Sequence, residues 1–133
     1  NDKQYARAIP KKMRTRALAV ALSRKLKDGE VLFVDTFAMS APKTALAKKA
    51  LLAFSSIAGF EKLARKNKNA ALIALSSASV PTAKSFQNLR NVVCTEVRNI
   101  NPESVLKHAY LIIENPEASL RILEKRVAGK TKN

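Results

Sequence analysis

Apolar residues recur along this chain in two alternating rhythms, one helical and one of short unbroken runs. Between Lys12 and Lys27, Leu18, Ala21, Leu22 and Leu26 fall on one face at helical spacing, with Arg16, Arg24 and Lys27 opposite. Lys25 lies in the apolar stripe, so it is expected in the last turn with its ammonium snorkelling out to water. Gly29 is the stop signal. Val31-Leu32-Phe33-Val34 is a continuous apolar run with β-branched residues, which predicts a buried strand. Ser40-Ala41-Pro42 reads as a loop leading into a second helix, in which Leu46, Ala50, Ala53 and Ile57 share a face. Gly59 interrupts it, and Phe60 to Lys66 reads as a further helical turn or two.

The same alternation continues to the end. Ala70 to Leu75 predicts a second strand, Pro81 to Arg90 a helix with Ala83, Phe86 and Leu89 inward, and Val92 to Thr95 a third strand. Asn101-Pro102 is a helix start, with Asn as the cap and Pro in the first helical position. Tyr110 to Ile113 is the fourth strand, and Asn115-Pro116 repeats the cap chemistry. The last helix is expected to bury Leu120, Leu123 and Val127 and to run into a basic tail. Strands alternating with helices predict an α/β fold: a single domain over residues 1–133 with a mainly parallel central sheet flanked by helices on both faces. A basic arm is expected at about residues 1–12 and the tail at about 125–133. The pattern leaves the strand order open.

Composition sharpens the reading. Hydrophobic residues make up 47%, enough for a core, while 25 Lys and Arg against 10 Asp and Glu leave a net charge of +15. Such charge repels itself in a compact state, and a polyanion would relieve it: nucleic acid first, an anionic membrane second. No apolar run approaches the length of a bilayer span, and no apolar stretch follows Asn1-Asp2-Lys3-Gln4 as a secretory signal would require. Cys94 is the single cysteine, which excludes an internal disulfide and points to a cytosolic or organellar protein.

Enzyme signatures are missing. Three glycines cannot supply Gly-x-Gly-x-x-Gly, and neither a Walker loop nor a Gly-x-Ser-x-Gly elbow occurs. One His and one Cys do not make a zinc site of the usual kind, so neither metal nor cofactor is expected. Asp35, just past a strand, is the best lone catalytic candidate, but it reads better as a loop carboxylate paired with a nearby cation. His108 reads as a capping or packing residue, and Cys94 as a small buried hydrophobe. The cations are another matter. Lys3, Arg7, Lys11, Lys12, Arg14 and Arg16 cluster around Tyr5, with Asp2 as the one acid in the first 27 residues. Clustered Lys and Arg neutralise phosphates, and Tyr5 offers a ring for an unpaired base. The helical cations are expected to lie off the apolar stripe. Lys43, beside Pro42, opens a helix where a bound anion would offset its unfavourable placement. These eight residues are the candidate nucleic-acid contacts, and composition does not distinguish RNA from DNA. A small α/β enzyme acting on an anionic substrate is the weaker alternative. A membrane-surface protein would need bulky apolar anchors, whereas the first helix has mostly Ala and Leu inward.

Several segments resemble a known family. Ile9-Pro10-Lys11-Lys12-Met13-Arg14, followed by Ala17-Leu18 and Ala21-Leu22-Ser23, is similar to the segment after the long loop of bacterial-type large-subunit ribosomal protein four. In the same order come Val34-Asp35, Ala41-Pro42-Lys43-Thr44 and Asn88-Leu89-Arg90-Asn91-Val92, the last with residues exchanged around Asn88-Leu89. Ile100-Asn101, Val105-Leu106 and Leu111-Ile112-Ile113 complete the series. The resemblance implies a structural constituent of the large subunit, in a cytoplasmic or organellar ribosome. Its partners would be 23S-type rRNA and neighbouring ribosomal proteins, without membrane, cofactor or small-molecule substrate. Family members can also bind their own messenger leader, a regulatory alternative. The family carries a strand, a helix and a long Gly- and Arg-rich loop ahead of the position where Asn1 stands, which leaves an expected uncovered sheet edge here. Leu51 to Lys66 looks longer than the usual family form.

Overall fold

The computed structural model describes residues 11–37 and 42–128. In chain order these form α1 (Lys11–Lys27), β1 (Val31–Val34), α2 (Thr44–Ser55), α3 (Lys62–Arg65), β2 (Ala71–Leu75) and α4 (Val80–Gln87). β3 (Val92–Glu96), a 3-10 turn (Val97–Asn99), α5 (Pro102–Lys107), β4 (Tyr110–Glu114) and α6 (Pro116–Ala128) follow. The four strands make one wholly parallel sheet in the order β1-β4-β2-β3. The α/β expectation therefore holds.

β2 and β4 occupy the centre, and their side chains divide by strand alternation between two cores. Ala71, Ile73, Leu75, Tyr110 and Ile112 pack with Ala47, Leu51, Leu63 and Phe86 from α2, α3 and α4. Leu72, Ala74, Leu111 and Ile113 pack with Leu18, Ala21, Val97, Val105 and Leu123 from the α1, α5 and α6 side. Burial on both faces is why these strands read as unbroken apolar runs.

The caps work largely as their chemistry predicts. α1 ends with Gly29 at φ 72, where Gly29 N–H donates to Leu26 O and Glu30 N–H to Lys25 O, a glycine-stopped Schellman turn. Asn101 Oδ1 accepts from Ser104 N–H at 2.8 Å, capping α5. Asn101→Ala is expected to cost about 1 kcal/mol. That corresponds to a melting temperature lowered by roughly 3–5 °C in a thermal scan. Asn115 differs: it sits at φ 47, and its Oδ1 lies 3.5 Å from Ala118 N, a marginal cap. Its own N–H instead ties to Val34 O at 2.7 Å, joining the end of β1 to the start of α6.

Several expected faces are corrected. β1 is an edge strand whose one described partner is β4, and Phe33 is 44% exposed. A short apolar run does not distinguish centre from edge. In α2 the buried residues are Ala47 and Leu51, with Ala50 and Phe54 half-buried, whereas Leu46 and Ala53 are exposed, as is Ile57 just past its end. Apolar residues stand at helical spacing in two adjacent rows, Leu46-Ala50-Ala53 and Ala47-Leu51-Phe54, so spacing alone does not choose between them. Aromatic packing settles it: Phe37 meets the rings of Phe54 and Phe86 at centroid distances of 6.2 and 5.2 Å. In α6 the inward residues are Ser119 and Leu123, and Leu120 is exposed. In α1 Leu26 is exposed as well. α4 ends at Gln87 rather than Arg90, with Phe86 buried and Ala83 and Leu89 half-buried.

Lys25 reverses its expectation. It is 6% exposed, and its Nζ donates to Glu30 Oε1 (2.9 Å), His108 O (2.6 Å) and Ala109 O (2.9 Å). A snorkelling lysine needs water within reach of its stem. Here the α5–β4 junction covers the end of α1 and offers carbonyl oxygens instead. The C-terminus of α5 is also the negative end of that helix, which suits an ammonium.

Candidate nucleic-acid interface

The sequence-derived cations on α1 occupy its first turns, which are largely exposed. Lys12, Met13, Arg14, Arg16 and Ala17 are exposed, and Thr15 is half-buried. Burial begins at Leu18 and continues through Ala21 and Lys25. Lys12 and Arg16, four residues apart, share one face. Arg14 does not lie off the stripe as expected. At spacings of four, three and four residues it lines up with Leu18, Ala21 and Lys25. It is nevertheless exposed, since the core residues of α1 begin only at Leu18. Lys11 opens the helix, and no acid stands in its first turn. Lys3, Tyr5 and Arg7 lie outside the described residues, as does most of the basic tail.

Lys43 is placed elsewhere. It is the N-cap of α2, exposed, and its backbone N–H donates to Ser85 Oγ at 2.9 Å. α2 packs on the opposite sheet face from α1, so the structure does not bring Lys43 together with the α1 cations. Arg126, in the expected tail, is half-buried and donates to Val97 O at 3.2 Å. Burial lowers its guanidinium below the ordinary value. It ties α6 to the turn after β3 rather than facing solvent.

Ion pairing separates structural cations from free ones. Among the described residues the carboxylate pairs are Arg24–Asp28 at 3.1 Å, Lys25–Glu30 at 2.9 Å and Arg98–Glu96 at 3.2 Å. Lys12, Arg14, Arg16 and Lys43 have no such partner among the described residues.

The candidate catalytic groups do not converge. Asp35 is exposed beyond β1 and, among the described residues, pairs with no cation, contrary to the expectation. His108 is buried, its Nδ1 2.8 Å from Ser104 O at the end of α5, as a capping and packing residue would be. The half-buried Cys94 packs beside the core, and burial, then the Glu114 charge, push its thiol up to about 12. At that value it is a protonated thiol rather than a nucleophile. Glu114 itself braces the carboxyl end of the sheet, accepting from Phe37 N–H at 3.3 Å and Ser76 N–H at 3.4 Å. No helix among the described residues is long and apolar enough to cross a membrane.

Residues 1–126 match the sequence model of the Ribosomal protein L4/L1 family. The chain belongs to that family. Its curated relatives are large ribosomal subunit proteins uL4. The Hyphomonas neptunium protein is 31% identical over 116 residues, covering 87% of this chain and 49% of that protein. The Natranaerobius thermophilus protein is 30% identical over 118 residues, 89% of this chain and 52% of the relative. The Symbiobacterium thermophilum protein is 33% identical over 112 residues, 84% and 49% respectively. This chain thus spans about half the length of the relatives it matches. The family match takes in every strand of the sheet and α1 with its free cations, and it reaches the last turn of α6.

One cluster within the matched region escaped the sequence reading. Lys66, Lys68 and Arg90 line a depression of about 640 Å³ with Asn67, Asn69 and Asn91. The alternating Lys66-Asn67-Lys68-Asn69 run was its visible half. Arg90 and Asn91 are remote in sequence and join only through the parallel pairing of β2 with β3.

Proposed function

We propose that this member of the L4/L1 family is a non-catalytic constituent of the large ribosomal subunit that binds 23S-type rRNA, beside neighbouring ribosomal proteins. The carrying observation is the start of α1, where Lys12, Arg14 and Arg16 are exposed without carboxylate partners among the described residues. Folding costs such cations nothing in desolvation, and they remain free for phosphate oxygens. Lys11 and the preceding Lys3, Arg7 and Tyr5 extend the contact, the cations to phosphates and the Tyr5 ring to an unpaired base. Lys43 serves a separate phosphate at the start of α2. The place of action is the ribosome, cytoplasmic or organellar. The chain acts as one RNA-binding domain with a basic arm at about residues 1–12 and a tail at about 125–133, from which Arg126 is withdrawn for structural duty.

Affinity is expected to come from counterion release. If ~5 phosphates are neutralised, log K for an rRNA fragment falls with log salt at a slope of about −4. Filter binding over a range of salt concentrations measures it, and a slope near zero would exclude this electrostatic mechanism.

A further inference from the structure

Beyond the α1 contact, and resting on the RNA-binding reading, we infer that Lys66, Lys68 and Arg90 form a second phosphate-binding cleft for a separate RNA segment. The chain then bridges two stretches of RNA, one at each end of its sheet.

The placement follows from the topology. Residues 66–69 lead into β2 and residues 90–91 into β3, and because the strands are parallel both loops lie at the amino edge of the sheet. α1 approaches that same edge only with its last turn, where Lys25 reaches the carbonyls of His108 and Ala109 just ahead of β4. From Lys25 back to Arg14 the helix rises about 16 Å. The free α1 cations therefore stand toward the other end, and α3 beside the cleft packs on the opposite sheet face from α1.

The cleft is a built feature rather than scattered surface lysines. Asn91 Nδ2 donates to Lys66 O at 3.2 Å, joining its two walls. Ala70 N–H donates to Asn91 O at 2.7 Å, and Ala109 N–H to Asn69 O at 2.9 Å, fixing the floor to β2 and β4. Asn69 holds φ 53, a left-handed conformation that asparagine tolerates, and so turns the loop into β2. Lys66, Lys68 and Arg90 are exposed and have no carboxylate partner among the described residues. Arg65, next along the chain, is instead near Glu61, whose carboxyl is held low chiefly by backbone N–H groups and in part by Arg65. Three like charges around one concavity repel each other until an anion enters. Asparagine amides add neutral donors for phosphate or ribose oxygens. The lining contains no aromatic ring to stack a base, so backbone phosphates are the ligand it fits.

The test counts RNA segments per chain. A short, stiff RNA hairpin, unable to wrap the protein, is titrated against it and read by native mass spectrometry. Thermal melts run alongside to show that each variant is folded. The parent should bind two hairpins. The triple variant Lys66→Gln, Lys68→Gln, Arg90→Gln should bind one, with the second affinity weakened roughly 100-fold at ~0.15 M salt by three lost counterion releases. Lys66→Arg with Lys68→Arg should restore two. Replacing Lys12, Arg14 and Arg16 should instead remove the other hairpin. A parent that binds one hairpin, lost only with the α1 variant, overturns the bridge while the α1 reading stands. A parent that binds none overturns both.

Discussion

Replacing Lys11, Lys12, Arg14 and Arg16 together by Gln is expected to weaken rRNA binding about 10³-fold at ~0.15 M salt while leaving the fold intact. Four lost phosphate contacts withdraw roughly 0.8 of a released counterion each, between the duplex and single-strand values, so the salt slope should also flatten by about 3. Stability should hardly change. Lys12, Arg14 and Arg16 are exposed, they have no carboxylate partners among the described residues, and the core begins only at Leu18. Exposed changes of this kind move stability by less than ~0.5 kcal/mol each. Removing positive charge from a helix N-terminus is mildly favourable in itself. A mobility-shift titration beside a thermal melt checks both halves. Unchanged affinity with an unchanged melt would remove this segment from the interface.

Lys25→Met should do the reverse, lowering stability by about 3 kcal/mol while sparing the RNA contact of whatever protein remains folded. The ammonium is 6% exposed and serves three acceptors, Glu30 Oε1 and the carbonyls of His108 and Ala109. Met preserves most of the stem packing but leaves those two carbonyls short of a donor. It also leaves Glu30 without its cation, and a buried polar group stripped of its partner carries its full desolvation cost. Urea unfolding followed by circular dichroism measures the change. A midpoint equal to that of the parent would mean that water or Glu30 rearrangement fully replaces the ammonium. The two charge-neutralising experiments separate cations that serve binding from one that serves the fold, though all sit on the same helix.

Helix faces were legible where one side of the helix was plainly polar and illegible where it was not. Leu18 and Ala21 are buried as the spacing predicts, because Arg16, Arg24 and Lys27 mark the opposite side of α1. In α2 two adjacent apolar rows, Leu46-Ala50-Ala53 and Ala47-Leu51-Phe54, both have helical spacing, and only packing chooses the second. Leu120 and Leu26 show a related limit. Both are apolar, yet each lies on the flank of its helix over the edge strand β1, where they border an open apolar groove with Phe33. Half of the proposed interface was equally hidden. Tightly spaced cations such as Lys12, Arg14 and Arg16 announce themselves, whereas Arg90 reaches Lys66 and Lys68 only through strand pairing.

By itself the sequence determined the four strands, the helices between them, the caps at Gly29 and Asn101, the parallel α/β class and the basic character that points to nucleic acid. These rest on local chemistry: apolar runs too short for helices, residues suited to one backbone conformation, and charge without compensation. Only the tertiary structure decided that β4 lies between β1 and β2, that Lys25 turns inward, that Arg126 is structural and that a second basic cleft exists. Each of these depends on which remote groups a side chain meets. Lys25 and His108 are 83 residues apart, and no periodicity within α1 carries information about the carbonyl oxygens waiting at the end of α5.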